Sequence, residues 1–316
     1  MAITLVADIG GTNSRFAVAQ PGGRLESISV IHNDSVPDLE AAVANYLEEI
    51  GARPSAATFA IAGPIDSDEV TLTNRAWRFR VAEFAKRFGF ASFRVINDFE
   101  AVAWALTQLG PDQTRRLGPV PLRRDGVKAV LGPGTGLGVA ALLPVGGQWH
   151  VLASEGGHAS FGPQTADEFP VFARLHKDFA ELSAEMVLSG SGLVRLARAM
   201  DPANSYVAPE AILAAALTGD TAARATVGVF IRLLARFAGG LALTFKAIGG
   251  VYIAGGVSHG LATLIDERQF RATFEAHPPH EAMLQNIPTL LVTHPEPGLF
   301  GCAALSDLYP LRQTPT

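Results

Sequence analysis

Seven residues, Gly132-Pro133-Gly134-Thr135-Gly136-Leu137-Gly138, constrain the fold of this chain more than any other stretch. They contain four glycines and a threonine, and they join two apolar runs, Lys128–Leu131 and Leu137–Leu143. Apolar runs on both sides of a glycine turn predict a β-hairpin. Glycine lets the backbone approach an anion closely and take up positive φ. Successive N–H groups in such a turn form an anion-binding nest. Two other readings of a glycine-rich loop fail. A Walker A loop needs a lysine directly after a glycine, and no such pair occurs in the chain. A dinucleotide fingerprint needs GxGxxG spacing and a helix after it. Here the third glycine is misplaced and Gly138–Leu142 continue as a strand. What remains is a hairpin that grips phosphates through Gly134, Thr135 and Gly136, or a purely structural turn, which would rarely need four glycines and a threonine in seven residues.

The amino-terminal residues repeat the pattern. Ile3–Asp8 is apolar, Gly10-Gly11-Thr12-Asn13 turns, and Arg15–Ala19 is apolar again. Asp8 puts a carboxylate at the strand end beside the two glycines. It can hold Mg²⁺ through water, because Mg²⁺ keeps several waters and takes few carboxylates. An ordinary hairpin turn with an Asx cap would look the same. A third turn, Ala254-Gly255-Gly256-Val257, follows the apolar run Gly250–Ala254. Gly255 and Gly256 would let a purine and ribose lie against the backbone; strand-to-helix packing is the plainer explanation.

Periodicity supplies the rest of the framework. Leu39–Ile50 and Val81–Phe88 have helical spacing, and a helix over Glu100–Leu109 follows a strand at Arg94–Ile96. Ser27–Ile31 and Thr58–Ala62 read as strands. Gly110-Pro111 and the polar residues up to Arg124-Asp125-Gly126 read as a boundary. Helices dominate from Thr165 to Lys246, Thr289–Val292 is a late strand and Phe300–Tyr309 a terminal helix. Two lobes that each begin strand–turn–strand are the expected organisation, and 316 residues exceed what one core usually fills.

Composition removes several function classes. Net charge is −5, and the arginine pairs Arg115-Arg116 and Arg123-Arg124 are too short for a phosphate-backbone track; both read as solvated loop. No nucleic-acid partner is expected. The one cysteine, Cys302, rules out an internal disulfide and a cysteine-rich zinc site. Met1–Leu5 lacks the features of a signal peptide, so a cytoplasmic protein is expected. Val227–Phe245 comes closest to a membrane span, but Arg232 and Arg236 interrupt it, at about 2.5–3.5 kcal/mol each at a bilayer centre. Both arginines fall on one helical face, which predicts a core helix with one wet stripe and no membrane contact.

Taken in order, the three glycine turns resemble those of the sugar kinase/actin/Hsp70 superfamily of ATPases. Ile96-Asn97-Asp98-Phe99, Ser154-Glu155-Gly156-Gly157-His158, the segment from Ser183 to Gly190, and Thr73-Asn74-Arg75-Ala76-Trp77 make the chain similar to the bacterial glucokinase family over nearly its whole length. The resemblance implies an α/β, two-lobed actin-like ATPase (ribonuclease H-like) fold, with mixed sheets flanked by helices and a cleft between the lobes. It implies a small lobe, 1–109 plus 299–316, and a large lobe, 110–298. It also implies transfer of the γ-phosphoryl group of ATP to the 6-hydroxyl of glucose, with Mg²⁺, in a homodimer.

Matched position by position, Asp98 becomes the base that accepts the hydroxyl proton. Asn97, Glu155, His158 and Glu185, with Asn74 from the small lobe, become the groups that pair the sugar hydroxyls. Asp98 would equally serve as N-cap of the helix after it. Glu155 and Glu185 taken singly read as exposed acids, and His158 as a satisfied polar residue. Phe161-Gly162-Pro163-Gln164 carries no cysteine, unlike the zinc motif of the related repressor/kinase sugar-binding branch. Three rivals stand beside this reading. They are a kinase for fructose, mannose or an N-acetyl hexosamine; a catalytically idle sugar sensor, which would have lost Asp98 or a phosphate turn; and an actin- or Hsp70-like ATPase, which needs no Glu155/His158/Glu185 set.

Overall fold

The structure, a computed structural model, describes residues 3–63, 65, 67–72, 75–123 and 125–310. Asn74, a predicted sugar-binding residue, and Arg124 lie outside the described residues. The chain divides into two compact units, one made of Met1–Leu109 with His294–Thr316 and the other of Gly110–Thr293.

In the first unit β1 (Thr4–Ile9), β2 (Asn13–Ala19), β3 (Leu25–His32), β4 (Ala56–Ile61) and β7 (Ser92–Asn97) form a sheet in the order β3-β2-β1-β4-β7. A small hairpin, β5 (Glu69–Thr71) with β6 (Arg78–Arg80), stands apart from it. β1 pairs antiparallel with β2 and parallel with β4, and β4 is parallel to β7. Leu5, Val6, Ala7 and Ile9 are all buried, as expected for a strand covered on both faces. α1 (Leu39–Ile50) starts on Asp38, whose carboxylate accepts the Ala41 N–H at 2.7 Å, and stops on Gly51 at φ +60°. Its Tyr46 stacks on Phe16 with ring centroids 5.3 Å apart. α2 (Val81–Phe88) brings Phe84 against Phe59 and Phe93, so aromatic rings pack together within this core.

In the second unit the six-stranded order is β11-β10-β9-β12-β13-β8. Its strands are β8 (Thr114–Arg116), β9 (Lys128–Pro133), β10 (Leu137–Val145), β11 (Gln148–Ser154), β12 (Gly250–Ile253) and β13 (Thr289–Val292). β9–β10 is the predicted glycine hairpin, and β12 runs parallel to β9. β8 corrects the solvated-loop reading of Arg115-Arg116. Arg115 is held by its hydrogen bond to the Ala262 carbonyl at 2.6 Å, and the strand pairs with β13.

Helices α4 (Glu168–Asp178), α5 (Ala184–Val187), α6 (Gly190–Met200), α7 (Pro209–Thr218), α8 (Thr221–Thr244), α9 (Gly256–Leu261), α10 (Glu267–Glu275) and α11 (Glu281–Leu284) complete the unit. α8 is long and apolar enough to cross a membrane, yet 72% of its most apolar window is buried inside the protein. Its predicted wet stripe is half right. Arg232 stays partly exposed, whereas Arg236 is 6% exposed and ion-paired to Glu168 at 2.6 Å.

The chain rejoins the first unit at His294, five positions earlier than the expected 299. The reason is local. Glu296 pairs with Arg15 at 2.8 Å and Gly298 lies against Asp8, both within the first unit. The last helix, α12 (Pro297–Leu308), starts three residues before the predicted Phe300 because Pro297 fits the first helical turn.

Candidate active site

In the first unit β1 ends at Asp8 and Ile9, and the turn to β2 closes through the Gly10 N–H donating to the Asn13 carbonyl at 3.0 Å. Sequence reasoning missed the residue that shapes this turn. Asn33 is fully buried; its amide donates to the carbonyls of Gly10 at 2.8 Å and Gly11 at 3.1 Å, and its oxygen accepts the Ser14 hydroxyl at 2.7 Å. The Asn33 N–H also donates to the Thr12 carbonyl. With these carbonyls tied back, Thr12 is left exposed at the tip. The only signal in the sequence was an Asn after a strand, which suits any turn.

Asp8 keeps a partial opening to solvent, but the atoms packed around it desolvate its carboxyl and push its pKa up to about 6. Arg15 opposes that rise and Glu296 adds to it. Beside it, the fully buried Cys302 thiol donates to the Ala7 carbonyl at 3.6 Å, and burial raises its pKa well above the usual thiol range. Among the described residues no three His, Cys, Asp or Glu side chains gather as a metal cluster. A lone, partly open carboxylate suits Mg²⁺ that keeps its own waters.

Asp98 is the first residue of α3 (Asp98–Ala105), directly after β7. The helix starts two residues before the predicted Glu100, and its cap is Asn97, not Asp98. The Asn97 oxygen accepts the N–H groups of Phe99 at 2.8 Å and Glu100 at 3.3 Å, and its amide donates to the Gly63 carbonyl at 3.2 Å. Asn97 therefore aims the strand end that carries Asp98. Asp98 itself accepts the Phe99 N–H at 2.9 Å.

In the second unit Leu137, where β10 leaves the glycine turn, is met by Glu185 and by the turn that carries Glu155 and His158. The Leu137 N–H donates to the Glu185 carboxylate at 2.8 Å. On the other side of that residue, a Cβ on Gly157 would overlap the Leu137 carbonyl oxygen, so Gly157 presses the Glu155–His158 turn onto the start of β10. Glu155 and His158 face each other across 3.9 Å and are both well exposed. The turn closes through the His158 N–H donating to the Glu155 carbonyl at 2.9 Å. Gly134 accepts from the Gly190 N–H at 2.8 Å, which ties the turn to the start of α6, and its own α-carbon faces open space.

Gly136 sits under Glu185, where a Cβ would come within 2.5 Å of the carboxylate. Gly255, at φ +91°, lies so close to the end of β9 that a Cβ would be 2.5 Å from the Pro133 carbonyl, whereas Gly256 faces open space. The packing explanation holds for Gly255. Gly255 packs on the end of β9, and a Cβ on Gly256 would meet nothing within 4 Å.

Two glycine turns, each joining two interior strands of a mixed sheet flanked by helices, define the actin-like ATPase fold of sugar kinases. The family model for Glucokinase matches residues 5–308, and the chain belongs to that family. It is 40% identical to the Glucokinase of Paramagnetospirillum magneticum (strain ATCC 700264 / AMB-1) over 96% of this chain and 97% of that protein. It is also 40% identical to the Bifunctional protein glk of Burkholderia orbicola (strain AU 1054), over 95% of this chain but 48% of that one. The chain thus spans about half the length of such bifunctional relatives. Among solved structures, a glucokinase from an Antarctic psychrotroph superimposes with a TM-score of 0.87 at 33% identity, covering 96% of this chain and 98% of that one.

Proposed function

We propose that the chain is a glucokinase that transfers the γ-phosphoryl group of ATP to the 6-hydroxyl of D-glucose. The observation that carries this reading is the gathering of Glu185 and the Glu155–His158 turn on Leu137, inside the Gly134–Gly138 turn. Polar side chains suited to a polyhydroxyl ligand stand there beside a backbone suited to phosphates. A plain ATPase has no use for that combination.

Phosphoryl transfer asks the protein for alignment and charge stabilisation more than for covalent chemistry. Asp98 accepts the proton of the attacking hydroxyl, from a position fixed by Asn97. Glu155 and His158 pair sugar hydroxyls, carboxylate accepting and imidazole donating or accepting. Glu185 has one oxygen committed to Leu137 and can offer the other to the sugar. Asn97 spends its oxygen on capping, so its share is the amide. The turns Gly10–Asn13 and Gly134–Gly136 hold the phosphates, and Gly256 leaves space for the adenosine. Mg²⁺ neutralises charge on the phosphate oxygens when bound, and Asp8 would hold it through water. The reading includes a homodimer in the cytoplasm.

The test is steady-state turnover with ATP against glucose, fructose, mannose and N-acetylglucosamine, for the wild type and Asp98→Asn. The expected result is preference for glucose, and loss of roughly 10²–10⁴-fold in kcat for Asp98→Asn with glucose binding retained in calorimetry. Wild-type turnover in Asp98→Asn would remove Asp98 from its role, and preference for another hexose would transfer the reading to that sugar.

A further inference from the structure

The Glu155–His158 turn and Glu185 are far apart in sequence, yet a short ladder joins them. The Ala184 N–H donates to the Ala159 carbonyl at 3.0 Å and the Phe161 N–H to the Leu182 carbonyl at 2.9 Å, around an antiparallel bridge between Ser160 and Ser183. His158 stands at one end of this ladder and Glu185 just beyond the same end, on the other strand. Whatever holds Phe161 and its neighbours therefore sets the spacing of the proposed sugar ligands.

That holder is a buried arginine outside the glycine turns. Arg236 of α8 donates to the Gly162 carbonyl at 2.7 Å and to Glu168 at 2.6 Å, and its guanidinium lies 4.8 Å over the Phe161 ring. Glu168, 1% exposed, also accepts the Gln164 N–H at 2.9 Å and Arg232 at 3.2 Å. Arg232 reaches Asp167 at 2.5 Å. The Phe161 ring is closed in by Phe172 and Phe237. A planar guanidinium presents a rigid fork of donors to a carboxylate and a carbonyl and a flat face to an aromatic ring, which a compact ammonium does not reproduce.

We propose that Arg236 is a positioning residue for sugar binding: through Gly162, Phe161 and Glu168 it fixes the ladder that sets His158 and Glu155 against Glu185. The inference rests on the proposed function of those three residues. It assigns Arg236 no contact with substrate. Its loss therefore loosens the hydroxyl-pairing groups first, while the second glycine turn keeps the pairing of β9 with β10 and the Gly190 N–H on the Gly134 carbonyl.

The experiment compares Arg236→Lys, and a double variant Glu168→Gln with Arg236→Met, against the wild type. The double variant removes both charges together, so no buried ion is stranded. Each protein is checked for a cooperative thermal transition, then assayed for KM of glucose, KM of ATP and kcat, with glucose binding followed by calorimetry.

The expected result is a rise of about tenfold or more in KM and Kd for glucose in the double variant. KM for ATP should stay within about twofold, and Arg236→Lys should fall between the two proteins. A folded double variant with wild-type glucose KM and Kd would overturn the proposal. So would an equal rise in both KM values, which marks a general loosening. A wild type that binds and turns over no glucose would instead overturn the parent reading and this inference with it. Wild-type glucose turnover with unresponsive variants overturns this inference alone.

Discussion

At the scale of single residues, the side chains that organise the site are not the ones that stand out in the sequence. Asn33 satisfies two carbonyls of the first glycine turn and one hydroxyl from a buried position. Asn33→Ala is expected to cost roughly 2–4 kcal/mol of stability, from three lost hydrogen bonds at about 0.5–1.5 each. It should also raise KM for ATP while sparing KM for glucose; urea melts and initial rates check both. Glu168 offers a pH signature. Desolvation pushes its carboxyl up, but hydrogen bonds from Arg236 and the Gln164 N–H, with the charges of Arg236 and Arg232, win and hold it below the usual 4.5.

A depressed folded pKa gives stability that is fully present above the unfolded value and is lost as pH falls towards the folded one. Glu168→Gln should therefore melt below the wild type at neutral pH, and the gap should narrow as pH falls below the ordinary carboxyl value of 4.5. Thermal melts across that range decide it. Arg236 was read as part of a wet stripe because its partner lies 68 residues away, and no local pattern shows such a pair.

At the scale of elements, the strong periodicities were legible. α1, α2 and β13 have the bounds their spacing predicts. β11 was missed because its alternation is blurred at a sheet edge, where Gln148, His150, Leu152 and Ala153 are all exposed. α3 stops at Ala105, short of the predicted Leu109, although its apolar residues continue. The two glycine turns were visible as turns; which peptide each neighbour grips was not, since Gly157 on Leu137 is a tertiary contact.

The same holds for the packing of α12 on α3. A Cβ on Gly301 would overlap the Ala101 carbonyl oxygen, and one on Gly298 would lie 2.6 Å from Asp8. Gly301→Ala must push the helices apart, with an expected cost of about 1–3 kcal/mol. It should lower the urea midpoint at unchanged m and cut turnover, because α3 carries Asp98.

At the scale of the whole molecule, the two units have different connectivity. The second is one uninterrupted stretch, whereas the first needs residues from both ends of the chain. α12 supplies fully buried side chains, Leu299, Cys302 and Ala304, to a core whose strands lie some two hundred or more positions earlier. Removing residues 294–316 should therefore strip hydrogen-exchange protection from β1 and β4 while β9 and β12 keep theirs. Equal loss in all four strands would show that the units stand or fall together.

The late arrival of α12 has a consequence for biogenesis. As the polypeptide leaves the ribosome, β1, β2 and β4 emerge first but lack the helix that covers Asp8 and abuts α3. The contiguous second unit has all its strands in hand once β13 is out. The order of completion is thus the reverse of the order of synthesis, and the nascent sheet of β1, β2 and β4 must wait, its apolar face uncovered, until every strand of the second unit and then α12 have been made.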